Sequence, residues 1–283
     1  MTLLVVTVLQ LSLGLLLLGV AWDILRWIYF ICIGRKMAFR TVPYERIIRG
    51  GKHRFLFVGD STTAGTGAID NRDSIAGRFG TDFPDATIIN RGVVGQKLGE
   101  LSQRFDPREF RSIDLMVIQI GGNDIVHPVL LADTKKHLRS LLKKATSVCS
   151  HVIVLHCGNA GAAPFWPWYL KVLMEYRTLI MREAYRIVIL EFPQVEYVDL
   201  YRDIKDDPFI PNVKKFYAAD MFHPSGFGYE IWYLEIRELM DRLGWDFGQA
   251  SLRTRFVSKV MKSSVVKKTR QFIRKVRTSS KNS

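Results

Sequence analysis

Hydrophobic positions fall into three regimes along the chain. From Leu3 to Trp22 they form an almost unbroken run, interrupted only by Thr7, Gln10 and Ser12. About 20 such residues in a helix match the hydrocarbon thickness of a bilayer, so the run predicts a single transmembrane helix. In the middle of the chain, short runs rich in β-branched and aromatic residues alternate with longer amphipathic stretches. Arg54 to Val58, Ala86 to Asn90, Asp114 to Ile120, His151 to His156 and Glu196 to Leu200 predict buried strands. Helical spacing near Ser74 to Phe79, Gln96 to Phe105, Leu130 to Val148, Trp168 to Glu191 and Gly226 to Leu243 predicts helices between and after them. That alternation calls for an α/β fold, a parallel sheet with helices on both faces. In the third regime, after Phe247, Phe256, Val260, Val265, Phe272, Ile273 and Val276 are scattered among cations.

Those regimes divide the chain into an N-terminal anchor with an interfacial segment over residues 1–35, a central body over 53–245 and a C-terminal tail over 246–283. The body, about 190 residues, has the size of one ordinary domain. Met1 and Thr2 carry no side-chain charge, and Asp23 to Arg26 do not resemble a small-residue cleavage site. The apolar run therefore reads as a retained anchor and not as a signal peptide. Trp22, Trp27 and Tyr29 fit an aromatic belt at a membrane interface, where Asp23 and Arg26 stand at helical spacing. Arg26, Arg35, Lys36 and Arg40 all follow the run, and the positive-inside tendency places the body on the cytoplasmic side.

The net charge of +14 changes this picture little, because it is concentrated in the tail, where no Asp or Glu occurs from Phe247 to Ser283. The tail reads either as an amphipathic helix on an anionic leaflet or as a solvated segment. No recognisable nucleic-acid-binding motif accompanies the charge, so nucleic acid is not expected as a partner. Cys32, Cys149 and Cys157 form neither a disulfide framework nor a CxxC pattern. His53, His127, His137, His151 and His156 build no HExxH or comparable ligand set. Gly65-Thr66-Gly67 lacks the third glycine of a dinucleotide site.

In open parallel sheets ligands bind beyond the carboxyl ends of the strands, which draws attention to three sequences there: Gly59-Asp60-Ser61, Asn90-Arg91-Gly92 leading to Gly95, and Gly121-Gly122-Asn123-Asp124. A serine between a buried strand and a helix projects its hydroxyl into a cleft, with helix-terminal N–H groups nearby. Serine needs a base, and Asp220-Met221-Phe222-His223-Pro224 supplies a histidine with a carboxylate three residues earlier. A carboxylate held against Nδ1 leaves Nε2 to face the serine, the logic of a Ser-His-Asp triad of Ser61, His223 and Asp220. Acyl transfer also requires donors for the oxyanion; the candidates are the Ser61 and Gly95 N–H groups and the Asn123 side-chain amide.

In these four blocks, and in their order, the chain resembles the GDSL/SGNH hydrolases: Phe57 to Ser61, Asn90 to Gly95, Gly121 to Asp124 and Asp220 to Pro224. The resemblance implies a three-layer α/β/α, flavodoxin-like fold with a central five-stranded parallel sheet. It also implies Ser61 as nucleophile, Gly95 and Asn123 as oxyanion donors, His223 as base oriented by Asp220, and neither metal nor organic cofactor. The anchor and the tail lie outside it. Pro164-Phe165-Trp166-Pro167-Trp168-Tyr169, after the fourth strand, is aromatic enough to line an apolar substrate pocket through Trp166 and Trp168, to rest on the bilayer, or to cap the core. Ester hydrolysis through an acyl-enzyme is the leading expectation, with a lipid or an acylated envelope molecule as substrate. Transfer of the acyl group to a sugar or lipid hydroxyl by the same triad, and a non-catalytic tethered interaction module, are the alternatives.

Overall fold

The computed structural model describes residues 2–248, and the tail from residue 249 onward, with its amphipathic-helix reading, lies outside them. Five strands, β1 (His53–Gly59), β2 (Ala86–Gly92), β3 (Leu115–Gln119), β4 (Val152–Leu155) and β5 (Val195–Val198), form one sheet in the order β2-β1-β3-β4-β5. Every pairing is parallel. This is the doubly wound order in which the chain reverses direction across the sheet between β1 and β3, the point where such sheets open a crevice.

Parallel strands buried on both faces present two apolar faces at a period of two. Phe55, Phe57, Ile88, Val117, Ile153 and Leu155 point to one side, where α3 (Ile75–Asp82) and α9 (Gly226–Leu243) cover them. Leu56, Val58, Ile89, Met116, Ile118, Val152 and Val154 point to the other, beneath α4 (Leu98–Arg104), α6 (Leu131–Thr146) and α7 (Trp168–Ile189). The short helices α2 (Ser61–Ala64), α5 (Gly122–Val126) and α8 (Val213–Phe216) are each a single turn and carry no apolar periodicity to announce them.

The first helix, α1 (Thr2–Arg40), runs 39 residues, far beyond the apolar run that predicts it, and is long and apolar enough to cross a membrane. Its first part, to Trp22, touches little of the body. Beyond Trp22, Asp23, Arg26, Trp27, Phe30, Ile31, Ile33, Gly34, Met37 and Ala38 are all partly buried. These positions recur every three to four residues and so form one stripe of the helix, laid across the carboxyl ends of the strands. The segment after it pairs Arg46 with Ile88 in an antiparallel bridge and covers the free edge of β2. The Arg46 guanidinium fixes that cover by donating to the carbonyls of Gly80, Phe83 and Ala86.

Candidate active site

At the end of β1 the chain turns sharply into α2. The Asp60 carboxylate caps the turn by accepting from the Thr62 backbone N–H and hydroxyl, and Ser61 occupies the first helical position. N–H groups in a first turn have no acceptor within their helix. Burial raises the Asp60 carboxyl above its usual range, although its bonds to Thr62 and the nearby His223 oppose the rise.

The second contributor is the turn before α9. Met221 adopts a left-handed backbone with φ of 56°, which folds the turn so that Asp220 Oδ1 accepts from the N–H groups of both Phe222 and His223. A non-glycine residue in that region costs about 1 kcal/mol or more. The other carboxylate oxygen, Oδ2, lies 2.5 Å from His223 Nδ1. On the far side of the ring, Nε2 lies 2.9 Å from Ser61 Oγ. Asp220 is 1% exposed, and burial opposes its ionisation. The His223 ring and the two N–H donors outweigh that opposition and hold its carboxyl below the usual range. The two turns meet at Gly67, whose φ is +103°. A Cβ there would fall 2.2 Å from the Pro224 carbonyl oxygen, so the contact requires glycine.

Asn123, in the first turn of α5, donates its amide to the Gln96 carbonyl at 3.1 Å, which leaves its second N–H available. Gly95, Gly122 and Asn123 share the wall of the Ser61 cavity. Asp124 points the other way, accepting from the Leu98 N–H, and burial pushes its carboxyl up to about 6. Ser61, His223, Asp220, Gly95 and Asn123, drawn from four separated blocks, are thus brought to one place.

That place is a cavity of about 270 Å³. Ile120, Ala163, Leu200, Phe209, Tyr217, Phe222 and Trp232 make most of it apolar, and the Arg202–Glu235 ion pair, 3.1 Å apart, contributes a polar spot. The expectation for Trp166 and Trp168 needs correction, because neither lines this cavity. Trp166 is buried at 3% exposure, packed near Trp27, Phe165 and Phe222, and Trp168 opens α7 with its side chain outward. Phe222, from the triad's own turn, and Phe209 line the wall instead. Among the described residues no group of His, Cys, Asp and Glu is placed to hold a metal. His156 is fully buried beside Tyr185, and burial pushes it down to about 4, so it is neutral.

The wall also includes Gly34, Arg35 and Ala38 of α1, which nothing in the four blocks foretells. A Cβ on Gly34 would lie 3.2 Å from Asp220 Oδ2, so the helix passes directly over the carboxylate. Arg26 secures this docking by donating to the carbonyls of Pro164 at 2.8 Å and Trp166 at 3.3 Å, and Thr41 Oγ1 meets Thr66 Oγ1 at 3.0 Å. A chain of ring contacts, Trp27 to Phe165 to Phe222 to His223, joins the helix to the histidine with centroid spacings of 6.1, 5.1 and 5.4 Å. The signal for this contact is present in the sequence as Gly34 and Ala38, small residues four apart that let a helix approach its neighbour closely.

Several solved structures share the fold. A member of the lipolytic G-D-S-L family from Veillonella parvula matches with a TM-score of 0.52 and 15% identity, over 67% of this chain and 99% of its own. A protein from Lactobacillus plantarum matches with 0.52 and 19%, over 67% and 97%. The lipase Lip_vut3 from a goat rumen metagenome matches with 0.50 and 18%, over 66% and 96%. No curated protein matches by sequence at a significant level. The model of the GDSL-like lipase/acylhydrolase family matches residues 57–231, which hold all four blocks, both turns and the strands between them, and the chain belongs to that family.

Proposed function

We propose that the protein is a membrane-anchored serine esterase that cleaves carboxylic esters through an acyl-enzyme on Ser61. The observation that carries this reading is the hydrogen-bonded series Ser61 Oγ, His223 Nε2, His223 Nδ1 and Asp220 Oδ2, with contacts of 2.9 and 2.5 Å at the two sides of the imidazole. Membership of the family supports the reaction class.

Ser61 Oγ attacks the ester carbonyl while His223 Nε2 takes its proton, and the ionised Asp220 holds Nδ1–H in place and stabilises the imidazolium. The Ser61 and Gly95 N–H groups and the free Asn123 amide hydrogen receive the oxyanion, the charge that develops in the tetrahedral intermediate. Collapse of the intermediate breaks the ester C–O bond, and His223 returns the proton to the departing alcohol. Water, deprotonated by the same histidine, then attacks the acyl-enzyme and releases the acid.

The anchor reading is supported by the docking of the second half of α1. The part of the helix that walls the site and lies over Asp220 belongs to the working enzyme, and it runs without a break into the apolar run, so a retained run holds the body directly at the membrane. The cations Arg26, Arg35, Lys36 and Arg40 after the apolar run favour a cytoplasmic body.

The test is hydrolysis of p-nitrophenyl esters from acetyl to long chains by the full chain and by its Ser61→Ala variant. Loss of turnover by about 10⁴-fold or more is expected. Equal rates in the two proteins would remove Ser61 from the mechanism.

A further inference from the structure

The outward stripe of α1, opposite the docked one, comprises Ile24, Leu25, Ile28, Tyr29 and Cys32, all exposed. Continuing at the same spacing, its exposed positions become Arg35, Lys36, Phe39 and Arg40, three cations with one aromatic, of which Arg35 also reaches the rim of the cavity. The apolar surface of the helix therefore does not end at Trp22, where the unbroken run ends. It ends ten residues later on the side that faces away from the body. At 1.5 Å per residue, Leu3 to Cys32 extends about 45 Å, the thickness of a bilayer with its headgroup layers and not of its hydrocarbon alone. Trp22 and Tyr29, both exposed, then fall in one interface, where such side chains are favoured, and Arg35 and Lys36 fall at the level of the lipid phosphates.

A second apolar surface lies alongside. On α7, Trp168, Tyr169, Val172, Leu173 and Tyr176 are exposed, with Val172 at 76% and Trp168 at 70%. Their spacing of one, three, one and three residues is that of the α1 stripe, and together they cover the outer face of the first turns of the helix. Soluble surfaces seldom expose so continuous an apolar patch without a partner. Its place in the fold identifies the partner. The α7 helix begins at Trp168, two residues past Trp166, whose carbonyl Arg26 holds together with that of Pro164. Arg26 follows Trp22 by one helical turn, so the α7 stripe starts at the depth where α1 leaves the hydrocarbon.

We infer that the catalytic body lies in the headgroup layer of the membrane that its own α1 crosses, with the α7 stripe as a second lipid contact. The mouth of the cavity then lies at headgroup depth, and the site draws acyl esters resident in that bilayer. The inference rests on the membrane-anchored reading above. It also fixes a distance: Gly34 in the cavity wall is two residues, about 3 Å, past Cys32, whereas it would stand about 18 Å above the membrane if the interface lay at Trp22. An acyl ester enters such a site without leaving the membrane, its chain passing to the apolar wall of Phe222 and Trp232 while its polar part stays at the level of Arg35. Among the described residues Arg35 makes no hydrogen bond or ion pair, which leaves its guanidinium to the headgroup region.

The experiment uses the full chain in nanodiscs of phosphatidylcholine and phosphatidylglycerol, with Cys32→Ser and a nitroxide at one of three introduced cysteines. Leu15→Cys reports the span, Val172→Cys the α7 stripe and Lys143→Cys, exposed on α6, the aqueous side. Collisions with oxygen and with a water-soluble nickel chelate read depth. Leu15 and Val172 labels that favour oxygen, with Lys143 favouring nickel, are the expected result. A Val172 label that favours nickel while Leu15 favours oxygen would overturn the inference and leave the anchor standing. A Leu15 label in water would overturn both. Dipolar broadening at Val172 between two labelled copies would assign the stripe to self-association and overturn the lipid contact. In the second arm, Val172→Glu should lower turnover of a fluorogenic long-chain ester dissolved in the nanodisc at least tenfold and leave p-nitrophenyl acetate turnover unchanged. Equal losses on both esters, or on neither, would overturn it.

Discussion

The two halves of α1 are one continuous helix of similar apolar composition, yet they do different work. Up to Trp22 nearly every position is exposed to whatever surrounds the protein, and Gly14 and Gly19 have no atom of the fold within 4 Å of where a Cβ would stand. From Asp23 to Arg40 the same helix is clamped by Arg26, walls the cavity with Gly34 and Ala38, and crosses over the triad carboxylate. Hydrophobicity alone does not separate the two. What separates them is that the second half carries Asp23, Arg26, Gly34 and Ala38 within its partly buried stripe, polar and small side chains at helical spacing that clamp the helix and let it approach the body closely.

The scale for testing this contrast is set by the triad. Asp220→Asn, which keeps the shape of the turn but disturbs the tautomer and charge that His223 requires, is expected to cost about 10³- to 10⁴-fold in kcat on p-nitrophenyl butyrate, with the fold unchanged by circular dichroism. Next come two glycines on the one helix. Gly34→Leu pushes against Asp220 and should cost about 10- to 100-fold in turnover of the same soluble ester, since displacements near 1 Å at a catalytic group have effects of that size. Gly19→Leu, with open space around it, should stay within about twofold. Equal losses would erase the distinction between the halves. Arg26→Ala removes two hydrogen bonds from a charged donor to buried carbonyls and is expected to weaken docking by about 1–3 kcal/mol. Faster hydrogen exchange over residues 23–38, with no change over 3–22, would show it.

An effect on stability and not on turnover concerns Asp124 and sharpens the contrast from a part of the fold outside the α1 contact. Its carboxyl is raised from the usual range to about 6 by burial, so the folded state holds a proton that the unfolded state has already lost. Stability is therefore highest below about pH 4 as far as this group is concerned, and falls as pH rises from about 4 to about 6, by up to about 3 kcal/mol. Asp124→Asn should flatten that part of the stability curve, measured by urea unfolding at a series of pH values, without altering docking of α1.

Much of the body was legible in the sequence, for reasons that can be named. Strands such as Phe55 to Val58, buried on both faces, are short apolar runs bounded by glycine or charge, and α9 begins and ends where Ser225 and Gly244 cap it. The residues brought together at the site were legible because each one follows a strand or precedes α9, where the α/β layout forces loops to converge. The extent of α1 beyond Trp22 was not, since Asp23 and Arg26 read as the end of a span when their actual partners are each other and two carbonyls 138 and 140 residues away. Trp166 and Trp168 misled for a related reason. An aromatic cluster announces a surface to be covered without saying by what, and here α1 covers one ring while the other is left facing outward.

The separation of partners along the chain has a consequence for how the enzyme comes into being. Arg26 waits for Pro164, Gly34 for Asp220 and Ser61 for His223, 162 residues away. During synthesis α1 emerges first, and every surface it will dock on is made later. On the proposed anchoring, the membrane is its early partner, a holding place for an apolar stripe that would otherwise be free to aggregate. The last strand of the sheet is made with β5, but the histidine turn follows some twenty residues later and α9, which covers one face of the sheet, comes after that, so the site and the core on that face are completed together. Assembly of the Ser61–His223–Asp220 set is thus among the last steps by which this polypeptide becomes competent for chemistry.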